Sequence, residues 1–204
     1  RAASFLIGVL GQGDRSSAFA SARRGLRKMG EAAVADLLRV AYSPAHRARR
    51  EATLLLSEQL VPEAGSLLIT LLTDNPDDID VAWELSVLSG RDLRLEPDAA
   101  LAWWDWWDTV DHKDAWSWFA GALRDGGLVI PPDSAFEGQG SAEGVEFLLD
   151  QLALEVACLS ERSRRELERM TSLALPTGPG RDGDRVGWVR QVREMVRVAR
   201  ESAR

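Results

Sequence analysis

Arg50-Glu51-Ala52-Thr53-Leu54-Leu55 decides the fold, because its frame recurs at Arg1-Ala2-Ala3-Ser4-Phe5-Leu6 and at Asp80-Val81-Ala82-Trp83-Glu84-Leu85. Each copy has a charge, an alanine two residues on, and a large apolar residue three further. On a helix this spacing puts small and large apolar groups on one face, with the alanine where a neighbouring helix must come close. Helices stacked on a recurring frame make an α-solenoid. The expected fold class is therefore all-α, a solenoid of antiparallel helical hairpins.

The sequence between the copies is punctuated to match. Gly11-Gln12-Gly13 ends a first helix, Asp14 or Ser16 caps a second that runs to Met29, and Gly30 stops it. Glu31 to Ala41 follows, with Val34, Leu37, Leu38 and Ala41 as its apolar stripe. Ser43-Pro44 opens a helix to about Gln59, and Pro62 another to about Thr73. Asn75-Pro76-Asp77-Asp78 starts one that ends at Ser89-Gly90. Linkers this short force antiparallel neighbours.

These segments resemble the HEAT-repeat family. Leu26 to Leu38 is similar to that family's helix-turn-helix junction and Arg49 to Leu56 to its first-helix pattern; Asp80 stands where the family has an arginine. Leu88-Ser89-Gly90-Arg91-Asp92-Leu93, then Pro97-Asp98, Trp103 and Trp106-Trp107, resembles a terminal segment of bacterial HEAT-repeat proteins. The resemblance covers residues 1 to about 110. It implies a right-handed superhelix over 1–112 that binds protein segments, followed by a divergent helical cap over 113–204. In the cap, Asp114 to Leu123 reads as a short helix, 131–140 as an irregular loop, 141–159 as one long helix and 160–173 as a helix with a charged face. After a break at Thr177-Gly178-Pro179-Gly180, a last helix spans about 184–199. It carries Val186, Val189, Val192, Val196 and Ala199 on one face and Arg190, Arg193, Arg197 and Arg200 on the other.

Composition narrows the function. The net charge of −7 hides segregation: about +7 over residues 1–50, −18 over 51–160 and +4 over 161–204. Read along a solenoid, these blocks give a basic end, an acidic belt and a mildly basic cap. The belt is a solvated surface or, in the sharper reading, recruits a basic protein partner. The basic patch is Arg23, Arg24, Arg27, Arg49 and Arg50. No apolar run reaches the ~20 residues needed to cross a bilayer. Cys158 is the only cysteine, which excludes an internal disulfide and fits a small buried side chain. The cytoplasm is the default compartment; export stays open, because the chain begins at Arg1 rather than Met.

Candidate chemistry gathers at the tryptophans. Six of the eight, Trp103, Trp104, Trp106, Trp107, Trp116 and Trp118, fall within sixteen residues. On a helix Trp103, Trp106 and Trp107 share a face and Trp104 leaves it by about 100°. The favoured reading is a core seal, since each buried ring removes ~150–250 Å² from water. The alternative is an aromatic groove in which Trp104 and one of Trp116 or Trp118 are the exposed anchors, oriented by Asp105 and Asp108. Asp105, Asp108 and His112 share a face that could hold a divalent cation, but no glycine-turned loop or second histidine accompanies them, so no metal is expected. Zinc-ligand, phosphate-loop and nucleophile motifs are absent, and neither an enzyme nor a cofactor is expected. Some HEAT-like folds are DNA glycosylases that pair tryptophans with an aspartate. Here the tryptophan segment is the most acidic in the chain, which disfavours nucleic acid. The expected function is a non-catalytic scaffold for a protein segment; the alternative is a structural subunit of a larger assembly. Partner identity and oligomeric state stay open.

Overall fold

The computed structural model describes residues 2–13, 16–138, 140–179 and 183–202. Arg1, the charge that opens the first frame, Asp14, a candidate cap, and Gly180, part of the expected break, lie outside the described residues. The described residues form eleven α-helices and one 3-10 helix and no strand, so the chain is all-α. In order these are α1 (Ala2–Leu10), α2 (Ser17–Met29), α3 (Glu31–Ala41), α4 (Arg49–Glu58), α5 (Ala64–Asp74), α6 (Ile79–Ser89), α7 (Ala99–Trp107), α8 (Ala115–Asp125), η1 (Asp133–Phe136), α9 (Ala142–Gln151), α10 (Ala157–Thr171) and α11 (Arg185–Ser202). They fall into two compact units. Unit 1 is Arg1–Leu88 with Asp92–Ala115, and unit 2 is Ser89–Arg91 with Trp116–Arg204.

In unit 1 the helix starts are held by side-chain caps. Ser16 accepts from the Phe19 amide, Asp78 Oδ1 from the Val81 amide at 3.2 Å, and Asp98 Oδ1 from the Leu101 amide at 3.0 Å. Gly30, at φ 51°, both ends α2 and begins α3, a backbone turn that other residues enter only at a cost. The helix opened by Ser43-Pro44 begins later than the sequence implies. Residues 43–48 close tight turns instead, in which the Arg49 amide reaches the His46 carbonyl and the Ala48 amide the His46 ring, so α4 starts at Arg49.

Packing in unit 1 is between near neighbours. α1 lies on α2, α3 on α4 and α4 on α5, while α1 also meets α3, α2 meets α4 and α5 meets α7. The frame alanines Ala3, Ala52 and Ala82 are all buried, as are Leu55 and Leu85. Trp103 and Trp107 are core. The closest approach is Trp107 on α5: a Cβ on Gly65 would sit 2.3 Å from the indole, so only glycine admits that ring. Trp106 is half-buried, edge-on to both Trp103 and Trp107.

Unit 2 departs from its sequence reading in three places. The helix expected over 141–159 is two: α9 ends at Gln151, and Val156, in an extended conformation, begins α10. Polar groups satisfy the break, since the Ser160 hydroxyl bonds the Leu152 carbonyl at 3.0 Å and Arg185 bonds the carbonyl of Leu154. The charged face of α10 is buried. Arg162 and Glu166, 1% and 3% exposed, pair at 2.8 Å, and the Arg162 guanidinium lies 5.5 Å from the Phe119 ring centre. Glu161 holds Arg164 at 2.7 Å and Arg165 at 3.0 Å. In α11 the buried stripe is Trp188, Val192 and Val196, with Trp188 Nε1 donating to the Pro176 carbonyl at 3.1 Å. The indole takes the place expected for Val186, which is 70% exposed.

Candidate binding groove

The residues singled out by sequence do not converge. Trp104 is half-buried on α7, its Nε1 donating to Thr73 Oγ1 at 3.2 Å. Asp105 and Asp108 are exposed on the same helix. His112 stacks on Trp107, with ring centres 4.4 Å apart and planes 2° from parallel, and its Nε2 donates to the Trp107 carbonyl at 2.8 Å. Among the described residues no cluster of three or more His, Cys, Asp or Glu is placed to hold a metal ion. Nor is any helix among them long and apolar enough to cross a membrane. In unit 2, Trp116 is half-buried against Phe136 and donates to Asp133 Oδ1 at 3.1 Å. Trp118 is 3% exposed, which corrects its reading as a surface anchor: beside Phe119 and Leu123 it is core.

The basic patch is also redrawn. Arg23 and Arg27 both bind Glu58, Arg49 lies 3.3 Å from Asp74, and Arg50 is surrounded by acids. Its Nε and Nη2 take the two oxygens of Asp78 at 2.7 and 2.8 Å, Nη2 also meets Asp80 at 2.8 Å, and Nη1 meets Glu51 at 2.8 Å. Of the patch, Arg24 and Arg27 are exposed. Four of the five patch arginines, Arg23, Arg27, Arg49 and Arg50, are therefore paired with side chains of the acidic block. Arg50 and Asp80 hold the same position in two copies of the frame, so the departure from arginine at the third copy makes an ion pair between α4 and α6. The hydrogen bonds from Arg50 hold the Asp78 carboxyl below the ordinary aspartate range against the opposing effect of burial, and Asp78 in turn raises Arg50 above its ordinary value.

This network forms one wall of a groove of about 390 Å³ along α2, α4 and α6. Phe19 and Trp83, both half-buried, supply aromatic faces, and Leu54 lies at the bottom. Arg23, Arg50, Glu51, Asp80 and Glu84 supply charge. Glu84 is 7% exposed and accepts from the Ser57 hydroxyl at 3.0 Å, which fixes its carboxylate. The Arg94 guanidinium, held by Asp92 at 2.7 and 2.6 Å, lies 5.0 Å from the centre of the Trp83 ring. Rigid aromatic faces beside locked charges suit recognition of a side chain.

Of the groove residues, Arg23 and Arg50 alone stand out in the sequence as site candidates, while Glu51, Leu54 and Asp80 belong to the frame copies. Trp83 and Glu84 stood inside the third frame copy, and the signal that could have found them was that frame. If α4 and α6 stack in register, the residues that precede Leu55 and Leu85 face the same side. Phe19 carried no signal of its own. Comparison with protein-family models, with curated proteins and with solved structures finds no match to this chain.

Proposed function

We propose that the chain is a non-catalytic protein-interaction scaffold of α-solenoid type, similar to HEAT-repeat proteins. In this reading the groove along α2, α4 and α6 receives a segment of a partner protein. The packing of helices one removed, α1 on α3, α2 on α4 and α5 on α7, supports a repeating stack. One observation carries the functional reading: Phe19 and Trp83 stand half-exposed in a groove whose charges are already fixed by ion pairs and by Ser57. Half-exposed aromatic anchors among ordered polar groups are the composition of an interaction hot spot. Within the groove three carboxylates face two guanidinia, so a partner segment contributing a lysine or arginine fits best. The neutralised arginines weaken the glycosylase alternative, because duplex affinity depends on cations available to phosphates.

The test is affinity capture from the source cell with wild-type protein and with Trp83→Ala, each checked by circular dichroism. A protein retained by the wild type and reduced at least tenfold by the variant is expected. An identical captured set from both would overturn the reading.

A further inference from the structure

The groove along α2, α4 and α6 carries more negative charge than it offers hydrogen-bond acceptors. At it and directly behind it, Arg23, Arg27 and Arg50 meet five carboxylates, Glu51, Glu58, Asp78, Asp80 and Glu84. The surplus among these groups is negative. Yet most of their oxygens are closed to a ligand. Asp78 gives both oxygens to Arg50, and Glu58 is taken by Arg23 and Arg27. Glu51 gives Oε1 to Arg50, and its Oε2 is buried 3.6 Å from Arg23 Nη1. Glu84 is buried and accepts from Ser57. Of the five side chains, Asp80 alone is exposed, at 64%. The remaining groove surface is aromatic, from Phe19 and Trp83, over Leu54. Trp83 already attracts one cation: the Arg94 guanidinium lies 5.0 Å from its ring centre, and Arg94 is not among the residues that line the groove.

We infer, on the reading above that the groove receives a basic side chain of a partner, that this side chain is a trimethylated lysine. A protonated lysine brings three N–H groups and an arginine five, and each needs an acceptor once it leaves water. The groove leaves them Asp80. A trimethylammonium group carries the same charge with no N–H, so it gives up no hydrogen bond on entering. Its methyl groups lie against ring faces, and the quadrupoles of Phe19 and Trp83 attract its charge. The closed carboxylates act on it through their field, which needs no hydrogen-bond geometry. At about 390 Å³ the groove has room for the head group and the aliphatic stem behind it, and Leu54 gives the stem an apolar floor.

Three probes titrated into the full chain by NMR test this: Nα-acetyl-lysine amide, its Nε-trimethyl form, and the neutral isostere with a tert-butyl group in place of trimethylammonium. The trimethyl form is expected to bind about tenfold or more tightly than either of the others. Tetramethylammonium, which has the head group without the stem, should compete for the same site and bind more weakly. Phe19→Leu with Trp83→Leu keeps apolar bulk and removes both rings, and should weaken the trimethyl form about tenfold or more. Circular dichroism and melting check that this variant is folded; the comparison of probes on the wild type stands without it. Equal binding of the lysine and trimethyl forms overturns the inference, and if Trp83→Ala still loses the captured protein, the groove remains a partner site. Equal binding of the tert-butyl isostere overturns it by reducing the groove to an apolar slot. Tetramethylammonium binding as tightly as the trimethyl form overturns it in favour of a free cation. Full affinity in the folded double variant, or no binding of the trimethyl form, also overturns it.

Discussion

At the scale of single residues, the contact of Trp107 with Gly65 makes a prediction opposite to helix propensity. Alanine in place of a helix-interior glycine normally adds about 1 kcal/mol of stability, and Gly65, the second residue of α5, would gain at most that. Here the new Cβ would meet the indole at 2.3 Å, and overpacking costs about 1–3 kcal/mol. Gly65→Ala is expected to destabilise unit 1 on balance, and adding Trp107→Leu should recover part of the loss, both measured by urea denaturation. A more stable single variant would show that the ring does not lie on α5. Much at this scale could be read in the sequence. The frame alanines marked close packing, and Trp103 and Trp107 were foreseen as core. What could not be read was the inward turn of charged residues. Arg162 and Glu166 look like a solvated face, because apolar patterning treats a charge as exposed, and their mutual pairing, Arg169 on Glu166 at 2.7 Å and the Phe119 ring make burial tolerable. Trp116 and Trp118 were equally good surface candidates, since nothing local says which of two residues two apart will meet the core.

At the scale of elements, helix number and order in unit 1 were legible because glycines, prolines and capping side chains punctuate them. Starts drifted where a turn competes with the helix, as at Ser43-Pro44. In unit 2 the junction of α9 and α10 was missed. Gln151-Leu152-Ala153-Leu154-Glu155-Val156 contains neither glycine nor proline, and the interruption is held by Ser160 and Arg185 reaching back from later in the chain. The groove along α2, α4 and α6 was illegible for a related reason. Its residues come from three helices and form no contiguous cluster of the kind the tryptophan segment presents.

At the scale of the whole molecule, ionic pairing within both units sets the pH dependence of stability. Asp78 is held low by Arg50 and Asp92 by Arg94, while Glu161 is held low by Arg164 and Arg165 in spite of its burial. A carboxyl whose pKa is lower folded than unfolded stabilises the fold above its unfolded value, about 4, and that contribution fades as pH falls through the folded value. Melting temperature is expected to change little between pH 7 and 5 and to drop below about pH 4. Asp78→Asn should lower the melting temperature at pH 7 and flatten the acid limb; an unchanged acid limb would show that Asp78 contributes nothing to it. The lone thiol offers a separate view of the same molecule. Cys158, the second residue of α10, is 2% exposed, so a disulfide reagent can modify it only when its surroundings in unit 2 open. The rate at which Ellman's reagent turns yellow is thus a built-in clock for the opening of unit 2, and it should run faster in mild urea.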